Sequence, residues 1–111
     1  MTTVFGKIIA GQLPCKKVFE NERIVAIEDI HPVAPVHILI MPKKEIPNLQ
    51  ALTEEDLPLI EEIVLVAQKL AAQFDVAEGY RLLTNNGSEA GQTIFHLHFH
   101  LIGGRQLSHL G

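Results

Sequence analysis

The chain is poor in the features that most quickly settle a protein's class. Among its 111 residues there is no tryptophan, one tyrosine and one cysteine. With a single cysteine, Cys15, an intrachain disulfide is excluded, and a reducing compartment is expected. Cys15 itself reads as a small, partly buried side chain. There is no block of lysine or arginine, and 9 basic residues against 13 acidic ones leave a net charge of −4. That balance gives no electrostatic footprint for a nucleic-acid polymer, although a single nucleotide would need only a local site. The longest strongly apolar run, residues 63–67, is far short of the roughly 20 residues that span a bilayer. Residues 1–10 lack the apolar stretch of a signal peptide. The expectation is a cytoplasmic protein with no membrane partner, folded as one domain over residues 1–111.

What the chain does have is periodicity. Residues 4–10 suit a short helix that turns Phe5, Ile8 and Ile9 inward and stops at Gly11. Residues 17–20 and 23–28 flank Asn21-Glu22 as a strand hairpin. His31-Pro32-Val33-Ala34-Pro35 excludes regular helix. Residues 36–41 predict a strand buried on both faces, ended by Pro42. Residues 53–74 predict the one long helix, with Thr53 and Asp56 approximating a capping box. Its inward stripe is Leu57, Ile60, Ile63, Val64, Ala67, Leu70, Ala71 and Phe74. Pro58 falls just inside the first turn, so the start of the helix is open to a shift. Residues 78–85 and 96–102 predict two further strands, the last ended by Gly103-Gly104. The sum is an α+β fold: about five strands in a mostly antiparallel sheet, with one long and one short helix on one face. Repeated strand–helix–strand units are absent, which excludes a doubly wound sheet.

The most informative segment is His96-Leu97-His98-Phe99-His100-Leu101-Ile102. On a strand, side chains alternate between faces, so the three imidazoles would share one face and Leu97, Phe99 and Leu101 the other. A lone histidine is usually structural, but three in strict alternation are not readily produced by chance. An affinity tag would be contiguous and terminal, and this run is neither. Imidazole gives and takes protons near neutral pH and can act as a nucleophile or metal ligand. Just upstream, Asn85-Asn86-Gly87-Ser88-Glu89-Ala90-Gly91-Gln92-Thr93 offers flexible glycines and neutral donors. A loop of that kind can form a nest for a phosphate oxygen, though alone it is more often a plain surface turn. Donors beside imidazoles describe a site for substitution at phosphorus. A neighbouring imidazole can donate a proton to the leaving group.

Zinc is the rival reading, with His37 as a possible extra ligand. Three same-face strand residues span about 13 Å, whereas zinc–nitrogen bonds are only about 2 Å, so the triplet cannot easily converge on one ion. No Cys-x-x-Cys or His-Glu-x-x-His accompanies it. No metal and no cofactor are expected.

The His-x-His-x-His run, with apolar residues between and after, resembles the signature of the histidine triad superfamily. Val4-Phe5-Gly6-Lys7-Ile8-Ile9, Glu28-Asp29-Ile30, Ala34-Pro35-Val36-His37, Pro42-Lys43-Lys44, Gly79-Tyr80-Arg81, Gly91-Gln92 and Gly103-Gly104-Arg105-Gln106 are similar to its Hint branch. That resemblance implies a homodimeric purine nucleoside phosphoramidase acting on the P–N bond of adenosine 5′-phosphoramidates and related adenylates. By the same resemblance, His98 would attack phosphorus and become the nucleotidyl-histidine. The His96 carbonyl would hold its tautomer, and His100 and His37 would complete the imidazole network. Asn85, Gly91 and Thr93 fall where the family contacts phosphate; Thr93 stands where serine is commoner and keeps the hydroxyl. Asp29 matches the carboxylate that binds the ribose hydroxyls. Phe5, Ile8, Leu13, Ile27 and Ile30 match the apolar slot for the purine. The third position is His100, not the glutamine of the transferase branch, which implies a hydrolase. In the implied dimer the long helix packs on its mate, and strand 78–85 pairs with its own copy to continue the sheet.

Two departures stand out. Glu45 replaces a histidine common after the paired lysines. Residues 107–111 lack the tryptophan- and proline-containing tail of the animal members, which leaves Arg105 as the nearest strong anion binder. Two other functions fit part of the pattern. One is a nucleotide-binding interaction module with incidental catalysis. The other is a dinucleoside polyphosphate hydrolase, as in a sister branch, against which the Gly103-Gly104-Arg105 ending weighs.

Overall fold

The computed structural model describes residues 3–110, so Met1, Thr2 and Gly111 of the segments read above lie outside the described residues. The elements run α1 (Val4–Ile9), β1 (Lys17–Glu20), β2 (Ile24–Glu28), β3 (Val36–Pro42), α2 (Leu57–Gln73), β4 (Tyr80–Leu83) and β5 (Phe99–Gly103). The five strands form one sheet in the order β1-β2-β3-β5-β4. All four pairings are antiparallel. The β1–β2 hairpin closes on Asn21, whose side-chain oxygen accepts from the amides of Arg23 and Ile24. The Asx geometry explains why the chain reverses there.

The two helices lie on opposite faces of the sheet, which corrects the expectation of one helical face. Ile24 and Ala26 of β2 pack with Ile38, Ile40 and Leu101 under Ile63, Val66, Ala67 and Leu70 of α2. Val25, Ile27, Leu39 and Met41 turn the other way and meet Phe5 and Ile8 of α1. The cause is local. β2 and β3 are apolar at nearly every position, so neither face can be left to water. Each fully buried aliphatic side chain contributes about 1.5–3 kcal/mol, enough to recruit even a six-residue helix as cover.

Helix α2 starts at Leu57, later than expected. Thr53 and Asp56 do form a capping box, but it closes a single 3-10 turn over Glu54–Asp56. Pro58 then sits in the first α-turn, where its missing N–H has no partner to lose. Val66 takes a buried place, whereas Leu57 and Val64, expected inward, are exposed. Two more 3-10 turns, Leu49–Ala51 and Ser88–Ala90, have no counterpart in the periodicity reading. Glu62 of α2 ties the helix to the hairpin, accepting from Asn21 and, through both oxygens, from Arg23.

Candidate functional site

Strands β3 and β5 bring the site together. Their register sets His37 opposite Ile102 and Leu39 opposite His100, so His37 and His100 lie diagonally on the face that carries α1. His37 Nε2 is 3.0 Å from His100 Nδ1. The strand expected over 96–102 is shorter: β5 begins only at Phe99. Residues 96–98 are an unpaired lead-in. There the Leu97 amide donates to the Ile46 carbonyl at 2.6 Å, and Thr84 Oγ1 donates to the His98 carbonyl at 2.8 Å. The triplet is therefore not an even row. His98 and His100 face a cleft with ring centres 5.1 Å apart, while His96 is sunk beneath and almost fully buried. Phe5 stands edge-on to both His96 and His98.

The hydrogen bonds fix where each ring carries its proton. His98 Nδ1 lies 2.7 Å from the His96 carbonyl, which can only accept, so Nδ1 donates and Nε2 keeps its lone pair. His96 Nε2 likewise donates to the Pro42 carbonyl at 2.7 Å. His96 Nδ1 is then a buried acceptor with no partner among the described residues. The Val33 amide donates to His37 Nδ1 at 3.1 Å. His37 therefore carries its proton on Nε2 and donates to His100 Nδ1, which leaves the His100 proton on Nε2.

All three site imidazoles titrate below the ordinary range. Burial lowers His37 and outweighs the Asp29 carboxylate, whose Oδ2 is 3.4 Å from Nε2. Burial also lowers His98, against its hydrogen bond to the His96 carbonyl. His100 is pushed down to about 4, first by burial and then by His98 and His37 beside it. Each is neutral at pH 7. A neutral imidazole is a competent nucleophile, and a protonated one is not.

The cleft has a volume of about 530 Å³, on the scale of a nucleotide-sized ligand. Phe5, Ile8, Leu13, Ile27 and Ile30 all line it, as do Asp29, Thr93, His98 and His100. Ile30 is only a rim residue, 84% exposed. Leu39, Cys15 and Ile94 also form its walls and were not anticipated. Leu39 was legible, since it shares a strand face with His37. His37 and His96 support the cleft from behind without lining it. Asp29 is fixed by its Oδ1, which accepts from the His31 amide at 2.8 Å.

The loop over residues 85–93 departs from the expected amide nest. The amides of Ala90, Gly91 and Gln92 are spent on carbonyls within the loop. The Gly87 amide goes to Gln92 Oε1. Gln92 is not a free donor: it is buried, and its Nε2 donates to the carbonyls of Pro47 and Ile94. It staples the loop to the segment that follows β3. Of the loop side chains, Thr93 lies on the cleft wall, with Asn85 set back beside Gly91, its Nδ2 4.0 Å from where a Cβ on Gly91 would stand. Gly91 has φ +98°, so a side chain there would be strained. Arg105 is not a free anion binder either. Its Nε and Nη2 both donate to the Val33 carbonyl.

Asp29, His37 and His100 bring ligand-type atoms within 4.8 Å of one another. The spacing suits a divalent metal, but the protonation does not. A metal-binding imidazole donates its other N–H to an acceptor. His37 Nδ1 faces a backbone N–H instead, so Nε2 cannot give up its proton without setting two donors against each other.

Comparison with known proteins places the chain. Residues 10–107 match the HIT domain family. A HIT-like protein of Chlamydia pneumoniae is 53% identical over 105 residues, covering 95% of this chain and 96% of that one. The solved structure of a HIT family hydrolase from Clostridium thermocellum is 47% identical, with a TM-score of 0.94 over 97% of this chain and 95% of that one. A histidine triad nucleotide-binding protein from Candida albicans is 30% identical, with a TM-score of 0.82 over 99% and 86% of the two chains. The chain belongs to the HIT domain family.

Proposed function

We propose that this protein is a nucleotide hydrolase of the Hint type, cleaving the P–N bond of purine nucleoside 5′-phosphoramidates through a covalent nucleotidyl-histidine. One observation carries the reading: His98 keeps a free Nε2 lone pair, held by its Nδ1–H on the His96 carbonyl, at the wall of an apolar cleft. In this reading the purine lies among Phe5, Ile8, Leu13 and Ile27, with Ile30 at the rim, and Asp29 accepts from the ribose hydroxyls. Thr93, with Asn85 and Gly91 behind it, meets the phosphate. His98 Nε2 attacks phosphorus and the P–N bond breaks. The electron pair leaves on the amine nitrogen, which takes up a proton. Water then attacks the same phosphorus, releasing the nucleoside monophosphate and restoring neutral His98. No step calls for a metal.

The homodimer, with a sheet continued through β4, and the cytoplasmic setting belong to the same proposal, as does a single domain spanning the chain. The test is amine release from a fluorogenic adenosine phosphoramidate in the presence of a chelator, run beside a dinucleoside polyphosphate. Turnover of the first well above the second is expected. Turnover of the second alone would assign the sister activity. AMP binding in calorimetry without turnover of either would leave a binding module.

A further inference from the structure

Among the donors at the site, the Val33 amide is one that cannot change its role. Side-chain partners of a histidine can rotate or retitrate, but a backbone amide can only donate. The Val33 amide donates to His37 Nδ1, and His37 in turn meets His100 Nδ1 through Nε2. Val33 is held from outside the site. Its carbonyl accepts from Arg105 Nε at 3.0 Å and Nη2 at 2.9 Å. The turn that delivers Arg105 packs against the same loop: a Cβ on Gly104, itself at φ +96°, would stand 3.0 Å from Pro35 Cβ, tighter than ordinary contact. The Val33 side chain is itself more than half exposed, so its position is set through its backbone and not through packing.

We propose that the Val33 amide, braced by Arg105, is a tautomer lock: it fixes His100 as a neutral Nε2–H hydrogen-bond donor toward the cleft and holds it back from the imidazolium form. Protonating His100 would place a proton on Nδ1, directly against the Nε2–H of His37. His37 could yield only by moving its proton to Nδ1, against the Val33 N–H. Two donor–donor contacts thus stand in the way. What remains for His100 is a fixed dipole aimed at the phosphoryl oxygens, which gain charge as phosphorus is attacked. Arg105 and Val33 are positioning residues here, acting on the reaction only through His37 and His100.

The inference deepens the phosphoramidase reading, but its main test does not require turnover. Long-range proton–nitrogen NMR spectra of the wild-type protein report which ring nitrogen of each histidine is protonated. For both His37 and His100 the expected result is a protonated Nε2 and a bare Nδ1. In Val33→Pro, which removes the donor, the two nitrogen signals of each ring should move toward each other as tautomers mix. Arg105→Met, which keeps the stem and loses the fork, should move them the same way by less, and Arg105→Lys should move them least. The His98 ring should stay as in wild type. Turnover should fall roughly tenfold in Val33→Pro, the scale of losing one aligned donor in part. A proton on His37 Nδ1 in the wild type would overturn the lock, and so would Val33→Pro spectra identical to wild type. If Val33→Pro does not fold, unchanged ring signals in Arg105→Met overturn the brace. Ring nitrogens as expected in a protein that turns over no phosphoramidate would keep the lock and refute the activity.

Discussion

Gln92 offers the sharpest test of how the site is held, because its three bonds can be removed with little change of volume by Gln92→Leu. The amide accepts from the Gly87 amide at 2.8 Å and donates to the Pro47 and Ile94 carbonyls at 2.8 and 3.0 Å. The side chain is only 4% exposed, so the stranded partners are poorly placed to find water. A neutral hydrogen bond contributes about 0.5–1.5 kcal/mol net, and a buried group left unpaired costs about 1–3 kcal/mol. One donor and two acceptors, each at the modest end, sum to about 3 kcal/mol. With a urea dependence of ~1.3 kcal/mol/M for a chain of this size, the unfolding midpoint should fall by about 2 M at unchanged slope. Gln92→Glu retains the acceptor for Gly87 but points a carboxylate at two carbonyls, so at pH 7 it should lose at least as much. Turnover should fall in both, since Thr93 follows directly on the staple. A loss under about 1 kcal/mol in Gln92→Leu, or a Gln92→Glu protein as stable as wild type, would refute the reasoning.

Four further outcomes are expected. His98→Ala should abolish turnover while AMP binding persists in calorimetry; a nucleotidyl adduct trapped equally on wild type and variant would remove His98 from its role. Asp29→Ala should weaken ribonucleotides by about 1.5–3 kcal/mol and their 2′-deoxy analogues much less, because a carboxylate accepting from hydroxyls is a charge-assisted contact; equal losses would contradict it. The imidazoles titrate low in the fold, so as pH falls below the ordinary imidazole value of about 6.5 the unfolded chain takes up protons that the folded one refuses. Stability is then complete above that value and is lost as pH falls toward about 4, where His100 finally titrates. Urea midpoints at pH 7 and pH 5 should show the loss, and His100→Asn should reduce it; an equal slope in that variant would exclude His100. Sedimentation at micromolar concentration should give twice the chain mass, and a mass of one chain would remove the dimer.

The sequence carried the parts of this fold that follow from period. The five strands and two helices were legible because apolar alternation and the long helical stripe each act within a few residues. Which face each helix covers was not legible. That depends on β2 and β3 having two apolar faces, each of which must meet a separate partner, and the short helix over Val4–Ile9 shows no preference on its own. The cleft residues were largely legible through the family resemblance, from Phe5 and Asp29 to Thr93, His98 and His100. The protonation pattern was not. It depends on backbone groups distant in sequence: the Val33 amide for His37, the Pro42 carbonyl for His96. Backbone donors have no residue identity and leave no motif. The same blindness made Gln92 and Arg105 look like free ligands, when the fold spends both on carbonyls.

The shortness of β5 is what makes His98 available. Strand β3 runs on to Pro42, but its ladder with β5 covers only Val36 to Ile40. Had β5 continued back through His96, the Pro42 and His96 carbonyls would have been candidates for ladder bonds. Instead the Pro42 carbonyl accepts the His96 ring, and the His96 carbonyl is free to accept His98 Nδ1 from two residues on. The Leu97 amide turns to Ile46, and Thr84 caps the His98 carbonyl. These four backbone groups outside the ladder are thus satisfied by a side chain or by the segment after β3, as buried polar groups require. The alternation of the triplet is therefore less a strand pattern than a chain of local bonds. The three histidines differ in what they offer, since His96 anchors, His98 presents a lone pair and His100 presents a proton. A regular strand would have offered three equivalent rings. Ending the ladder at Phe99 gives three inequivalent ones, as the proposed chemistry at phosphorus requires.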